Sequence, residues 1–403
     1  MKRPAVVMLA AGKSTRFRSE RSKVLHPIAG RPMLAHLLER VAALKPARVV
    51  LVVRPGMSGL EAVLGSARCP VVLATQREAK GTGHAVAQAR RALTGFAGEL
   101  LVLYGDAPLI ESETMRTLLT ARAAQREPGI VALGADLPGN RSFGRLIMGR
   151  DGMLERIVEY LDADEDERAH ALCNAGPLAA DAGLLFALLR ELKPENAKKE
   201  YYLTDVVARA RARGHPCAVV EGAPEEALGI NSRAELAEAE GVVQRRLRAR
   251  AMAEGATLID PETVYFSADT RLGRDVTVGP NVVFGLGVRV ANAVEIRAFC
   301  HIEGARIERG AVIGPFARLR PGTVVGEGAR VGNFVEVKAA RIEAGAKVNH
   351  LTYIGDARVG AKANVGAGTI TCNYDGFKKA RTAIGAGAFI GSNSSLVAPV
   401  KIG

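Results

Sequence analysis

The stretch HIEGARIERGAVIGPFARLRPGTVVGEGARVGNFVEVK, His301 to Lys338, returns an aliphatic residue every five or six positions: Ile302, Ile307, Ile313, Leu319, Val325, Val331 and Val337. A helix repeats near 3.6 and a half-buried strand at 2, so a period near six means short strands and turns stacked coil on coil. The ladder reaches back to Val290 and Ile296 and forward through Ile342, Val348, Ile354, Val359 and Val365. It breaks at TITCNYDGFKKAR and resumes at Ile384, Ile390, Leu396 and Ile402. The pattern predicts a parallel β-helix of three strands and roughly 18 residues per coil, about seven coils in all. A break in so regular an array is the natural position of a functional loop, against the plainer reading of a tolerated surface insertion.

Ahead of the ladder the periodicity changes. Over residues 1–230, strand-like runs (VVML, RVVLVV, VVLA, LLVLYGD, IVAL) alternate with helical stretches (PMLAHLLERVAAL, HAVAQARRAL, ETMRTLLTARAA). This predicts a Rossmann-like α/β domain with a parallel sheet. Between them, residues 231–255 contain SRAELAEAEGVVQRRLRARAMA, opened by the capping-box spacing of Ser232 and Glu235, which predicts one connecting helix. Its arginines, Arg245, Arg246, Arg248 and Arg250, read as a solvated face. The β-helix occupies 256–403.

Composition excludes several classes. The formal charge of +13 could serve nucleic acid, but aromatics are only 4% of 403 residues, tryptophan is absent and no base-stacking motif occurs. Anionic small substrates use such a charge equally well. Five scattered cysteines without a CxxC pair argue against a disulfide framework or a zinc site. No run of 18 apolar residues and no signal peptide are present, so a soluble cytoplasmic enzyme without membrane insertion is expected.

The chemistry starts at LAAGKSTRF, Leu9 to Phe17, directly after the first strand. Small residues Ala10, Ala11 and Gly12 let backbone N–H groups approach a phosphate, and Lys13 and Arg16 add charge. A Walker A loop would need glycine at position 7, where this chain has Val7, so the P-loop reading fails. Asp106 closes the apolar run LLVLYGD at the carboxyl edge of the sheet, where a carboxylate can hold Mg²⁺ against phosphates; an aspartate alone in that place is more often a helix cap or turn former. In the β-helix, acetyl transfer to an amine wants a base near neutral pH, which a histidine supplies, and His350 in NHLTYIGDA is the candidate.

Together the strings LAAGKSTRF, KVLH, GTGHA, YGDAPLI, EYYLTD, GPFARLRPG, VGNFVEVK, NHLTYIGDA and VGAGTITCNYDG resemble the sugar-1-phosphate nucleotidylyltransferases. The chain is most similar to the bacterial bifunctional N-acetylglucosamine-1-phosphate uridylyltransferase and glucosamine-1-phosphate N-acetyltransferase family, along nearly its whole length. The resemblance implies a left-handed β-helix of hexapeptide repeats, UTP and acetyl-CoA as co-substrates, Mg²⁺, and a homotrimer. It implies that Leu9, Ala10, Ala11, Gly12, Tyr104 and Gly105 line the nucleotide site, that Gln76, Gly81 and Thr82 read the uracil, and that Arg16 and Lys23 hold the phosphates. Asp106 and Asn231 would be the metal ligands, and Gly144, Glu159, Asn174 and the segment Glu200 to Asp205 would surround the sugar.

For acetyl transfer the resemblance implies His350 as base, Arg320 and Lys338 on the sugar phosphate, and Tyr353 and Asn364 on the sugar. Ala367, Asn373, Tyr374 and Ser392 would contact acetyl-CoA, with Lys378 or Lys379 near its phosphates. Two departures stand out. Leu161 occupies a place where the family has a basic residue, and the sequence stops at Gly403, inside a rung, where the family continues; weak acetyl transfer is the expectation that follows. A nucleotidylyltransferase of other specificity, or a non-catalytic regulatory subunit with the β-helix used only for assembly, are the alternatives.

Overall fold

The computed structural model describes residues 3–12, 15–124 and 128–403. Its contacts separate the chain into Met1–Ala239 and Glu240–Gly403, and the division falls inside the single helix Arg233–Ala253.

In the first unit the apolar runs form strands β1 (Ala5–Leu9), β2 (Arg48–Val53), β3 (Val71–Thr75), β4 (Glu99–Tyr104) and β5 (Ile130–Asp136). They are followed by β6 (Arg145–Met148), β7 (Leu154–Val158), β8 (Leu172–Asp181) and β9 (Cys217–Glu221). Among the described residues the sheet runs β9-β5-β8-β4-β1-β2-β3, with β6 and β7 extending from β8. Strand β1 lies parallel between β2 and β4 and every residue of it is buried, which is why it is continuously apolar.

The parallel sheet expected from the sequence is present in β1 to β4, but β8 runs antiparallel to both β4 and β5. Its sequence, LCNAGPLAAD, is rich in alanine and carries Gly176 and Pro177 in mid-strand, so its strand signal is weak. The register shift between Asn174 and Leu178 absorbs that pair as a bulge. The predicted helices appear as Met33–Ala42, Thr82–Ala87 continued by a 3-10 turn Gln88–Leu93, and Ser112–Arg122.

The second unit is a left-handed parallel β-helix whose short strands make sheets of eight, eight and seven among the described residues. Each strand pairs with its successor one coil on, as in Val278 to Ile296, Ile296 to Ile313 and Ile313 to Val331. The ladder residues form one continuous core, with Leu396 and Ile402 packed against its end. Each fully buried aliphatic contributes roughly 1.5–3 kcal/mol, so the stack holds itself together coil by coil.

The arginine cluster expected to be a solvated face is partly something else. Arg248 is only 5% exposed and donates to the carbonyls of Val264 (2.9 Å) and Glu262 (3.0 Å) and to the Glu262 carboxylate (3.0 Å). Gln244 exchanges hydrogen bonds with the backbone of Phe266 at 2.7 and 2.8 Å. These two side chains satisfy the first coil's backbone, a task invisible in helical periodicity.

Candidate active sites

In the first unit, the carboxyl ends of β1 and β4 are drawn together because Gly105 donates its N–H to the Leu9 carbonyl at 2.8 Å. A Cβ on Gly105 would lie 3.0 Å from that same oxygen, so glycine permits the approach. Beside this junction lies a cavity of about 470 Å³ lined by Leu9, Ala10, Ala11, Gly12, Lys23, Gln76, Gly81, Thr82, Tyr104, Asp106 and Glu200 among others. A second cavity of about 310 Å³ is lined by Gly144, Glu159, Asn174, Lys198, Tyr202 and Asn231 and shares Thr82, Tyr104, Asp106 and Glu200 with the first. The two are halves of one cleft, and Asp106 stands where they meet.

At that point the Lys23 ammonium contacts the Asp106 carboxylate and, at 2.7 Å, the amide oxygen of Asn231. Two hard oxygen donors thus converge on one positive charge. Among the described residues no cluster of three His, Cys, Asp or Glu side chains could enclose a metal. Mg²⁺ needs few protein ligands because it keeps waters and takes phosphate oxygens, so the Asp106 and Asn231 pair fits it. The helix start fixes Asn231: its backbone N–H donates to the Glu235 carboxylate at 2.6 Å, while Ser232 Oγ accepts from the Glu235 N–H at 3.2 Å. The expected capping box therefore exists in altered form, its carboxylate reaching one residue further back.

On the nucleotide side, the Gln76 amide nitrogen donates to the Gly81 carbonyl and to His84 Nδ1, both at 3.1 Å. Gly81 has φ +102° and ψ 175°, a conformation essentially restricted to glycine. Arg16 is exposed in the 3-10 turn Thr15–Phe17 and does not line the cleft; Lys13 lies outside the described residues. The turn is held from behind by Arg233, which stacks over Phe17 at 4.7 Å and donates to His26 Nδ1 at 3.1 Å. Burial, with Arg233 and Arg21 nearby, pushes the His26 pKa down.

On the other side, burial pushes up the Glu159 carboxyl, opposed by a 3.2 Å hydrogen bond from Thr204. Burial likewise raises the Tyr104 phenol, with Glu159 adding to it. Arg145, missed in the sequence, is 1% exposed; it donates to the carbonyls of Phe143 (2.6 Å), Asn140 and Arg168 (3.1 Å). It shapes the turn that ends in Gly144, whose carbonyl accepts the Asn174 N–H at 2.8 Å. Leu161 is 59% exposed on the neighbouring turn.

In the second unit His350 is an exposed residue at a strand end, in register with Asn333 one coil earlier. Its Nδ1 lies 2.7 Å from Asn333 Oδ1. That oxygen can only accept, so Nδ1 is the donor to it, and in the neutral ring the lone pair then falls to Nε2. Arg320 pairs with Glu336 at 2.8 Å, and Glu336 is the ladder neighbour of Tyr353. Lys338 lies 3.9 Å from Asp356, which also accepts from the Asn373 side chain. Asn364 neighbours Lys347 in the sheet that carries His350.

The interruption in the ladder is a loop on the coil between Asn364 and its partner Phe389. Asp375 folds it by accepting the N–H groups of Phe377 (2.8 Å) and Lys378 (2.6 Å), while the Tyr374 hydroxyl donates to the Gly376 carbonyl. Ala367 accepts the Asn393 N–H at 2.7 Å, next to exposed Ser392. Among the described residues no side-chain contact joins Tyr374 or Ser392 to His350. Sequence reasoning missed Asn333, Glu336 and Asp356; the strings VGNFVEVK and YIGDA contain them, but only coil stacking reveals what each faces.

Residues 6–241 match the MobA-like NTP transferase domain, and residues 304–339 match the bacterial transferase hexapeptide (six repeats). The chain is 59% identical over 403 residues to the bifunctional protein GlmU of Rhodospirillum rubrum, covering 100% of this chain and 89% of that protein. It is 57% identical over 399 residues to the bifunctional protein GlmU of Paramagnetospirillum magneticum, covering 99% and 88%. Among solved structures, the inositol-1-phosphate CTP transferase from T. maritima covers 57% of this chain and 90% of its own at TM-score 0.46 and 15% identity.

Proposed function

The chain belongs to the family of the bifunctional GlmU proteins, and from that premise we infer that it catalyses two steps of UDP-N-acetylglucosamine formation. One is acetyl transfer from acetyl-CoA to glucosamine-1-phosphate. The other is uridylyl transfer from UTP to N-acetylglucosamine-1-phosphate with release of pyrophosphate. We assign the second reaction to residues 1–230 and the first to 256–403, with 231–255 as connecting helix. The observation that carries the reading is the two-part cleft with Lys23, Asp106 and Asn231 at its junction.

For uridylyl transfer, a phosphate oxygen of the sugar phosphate forms a bond to the α-phosphorus of UTP as the bond to pyrophosphate breaks. The nucleophile is already anionic, so no general base is required and the protein supplies alignment and charge neutralisation. Asp106 and Asn231 would hold Mg²⁺, which when bound neutralises phosphate charge. Lys23 and Arg16 take further phosphate charge; Leu9 to Gly12, Tyr104 and Gly105 line the nucleotide, with Gln76, Gly81 and Thr82 on the uracil. Gly144, Glu159 and Asn174 surround the sugar. Lys23, which contacts Asp106 and Asn231 in this structure, would serve a phosphate where those two side chains hold the metal.

For acetyl transfer, His350 Nε2 takes the proton as the amine attacks the thioester carbonyl and the CoA thiolate departs. Asn333 holds the tautomer that makes this possible. Arg320 and Lys338 serve the sugar phosphate, Tyr353 and Asn364 the sugar, and Ala367, Asn373, Tyr374 and Ser392 the CoA, with Lys378 or Lys379 at its phosphates. Hexapeptide coils support a homotrimer, and the nucleotide and thioester substrates support a cytoplasmic location. No observation favours a regulatory subunit or another sugar.

A pyrophosphate-release assay with UTP, Mg²⁺ and N-acetylglucosamine-1-phosphate, run beside dTTP and ATP, tests the first activity. Preference for another base overturns the specificity. CoA release with glucosamine-1-phosphate tests the second.

A further inference from the structure

The sugar half of the cleft is lined by three carboxylates, Asp106, Glu159 and Glu200, yet its proposed ligand is itself an anion. Lys23 is engaged at the junction by Asp106 and Asn231. The one lysine in the lining of the sugar half is Lys198. Among the described residues it makes no ion pair, in contrast to Lys23.

Its backbone is fixed with unusual thoroughness for an exposed turn. The Asn196 side chain donates to the Glu200 carbonyl at 2.6 Å and accepts the Glu200 N–H at 3.1 Å. The Lys199 N–H closes onto the Asn196 carbonyl at 2.9 Å, with Lys199 at φ +54°. On one flank Ala197 N–H donates to Asp162 Oδ1 at 2.8 Å, and on the other Tyr201 N–H donates to the Lys80 carbonyl at 2.8 Å. The first of these bonds ties the Lys198 turn to the turn bearing Leu161, whose side chain is exposed and absent from the lining.

We propose that Lys198 is a substrate-positioning residue: its ammonium holds the phosphate of a hexose 1-phosphate in the sugar half of the cleft, a charge that position 161 does not provide in this chain. The pinned turn brings the lysine stem to the cleft wall, and only the flexible side chain must order when substrate enters. Facing three carboxylates, the ammonium also offsets the repulsion that the incoming phosphate would otherwise meet. The inference rests on the uridylyltransferase reading given above.

The test compares wild type, Lys198→Met and Lys198→Arg in pyrophosphate release, varying N-acetylglucosamine-1-phosphate and UTP separately. Lys198→Met is expected to raise KM for the sugar phosphate roughly five- to tenfold with kcat and the KM for UTP within about twofold, and Lys198→Arg to keep most of the affinity. Raising ionic strength should weaken sugar-phosphate binding more in wild type than in Lys198→Met. An unchanged sugar-phosphate KM in Lys198→Met, or an equal rise for UTP, overturns the proposal. Failure of wild type itself to release pyrophosphate overturns the functional reading instead and this one with it.

Discussion

Gly81 offers the sharpest test of how the nucleotide wall is built. A Cβ there would lie 2.7 Å from the Tyr201 carbonyl oxygen and 2.9 Å from Glu200 Cβ and the Tyr201 nitrogen. Ordinary contact begins near 3.5 Å, so the Glu200 to Tyr201 backbone must recede by roughly 0.6–0.8 Å in Gly81→Ala. That segment cannot move freely, because Tyr201 N–H donates to the Lys80 carbonyl and Gly83 N–H to the Tyr201 carbonyl, both at 2.8 Å. To the clash is added the conformation itself, φ +102° with ψ 175°, which costs a side-chain-bearing residue about 1–3 kcal/mol. The combined loss should be about 2–4 kcal/mol, a fall of roughly 5–10 °C in the unfolding midpoint of the first unit. Glu200 lines both halves of the cleft, so a displacement approaching 1 Å should also cost about 100-fold in uridylyl transfer. Gly95→Ala is the control: it too has positive φ, at +74°, but a Cβ there meets nothing within 4 Å. Pyrophosphate release and thermal unfolding would be followed for both variants, with CoA release in the same preparations as an internal standard. If Gly81→Ala proves no worse than Gly95→Ala, the close approach of Tyr201 is not what shapes this wall.

Asp106→Ala should lower uridylyl transfer by about 100-fold or more while leaving the fold intact, since only the Lys23 contact is lost; full activity would remove Asp106 from the metal site. Asn333→Ala frees the His350 ring, and the loss of one neutral hydrogen bond should reduce kcat for acetyl transfer about two- to tenfold with pyrophosphate release unchanged. An unaltered kcat there means the tautomer is set by something else. Burial lowers the pKa of both His26, with Arg233 and Arg21 adding to it, and His36. The unfolded chain therefore takes up protons near pH 6.5 that the folded imidazoles refuse, so their stabilisation is complete above that pH and is lost as pH falls below it. Each contributes a slope of at most about 1.4 kcal/mol per pH unit; urea midpoints at pH 7.5 and 5.5 that do not differ more in wild type than in His26→Asn would contradict this.

What the sequence revealed and what it hid divide along one line. The ladder was legible because each coil imposes the same burial on the same step, so Ile302, Ile313 and Val331 announce their roles locally. Asp106 and the Leu9 to Gly12 turn were legible because a site at strand ends leaves small residues and a carboxylate directly after apolar runs. Side chains that act through a partner remote in the chain left no local sign. Asn333 matters only because the coil sets it beside His350, and Arg248 only because the first coil's carbonyls at Glu262 and Val264 need a donor. Strand β8 was hidden for a related reason: its alanines fit a strand only because β4 and β5 close on either side. Asn231 joins the two cases. The spacing of Ser232 and Glu235 correctly marks a helix start, but the carboxylate grips the backbone of Asn231, whose side-chain oxygen faces Lys23 beside Asp106. A capping interaction worth about 1 kcal/mol to a helix thus also sets one of two metal-ligand candidates, and the loss of Glu235 should be felt in uridylyl transfer as well as in stability.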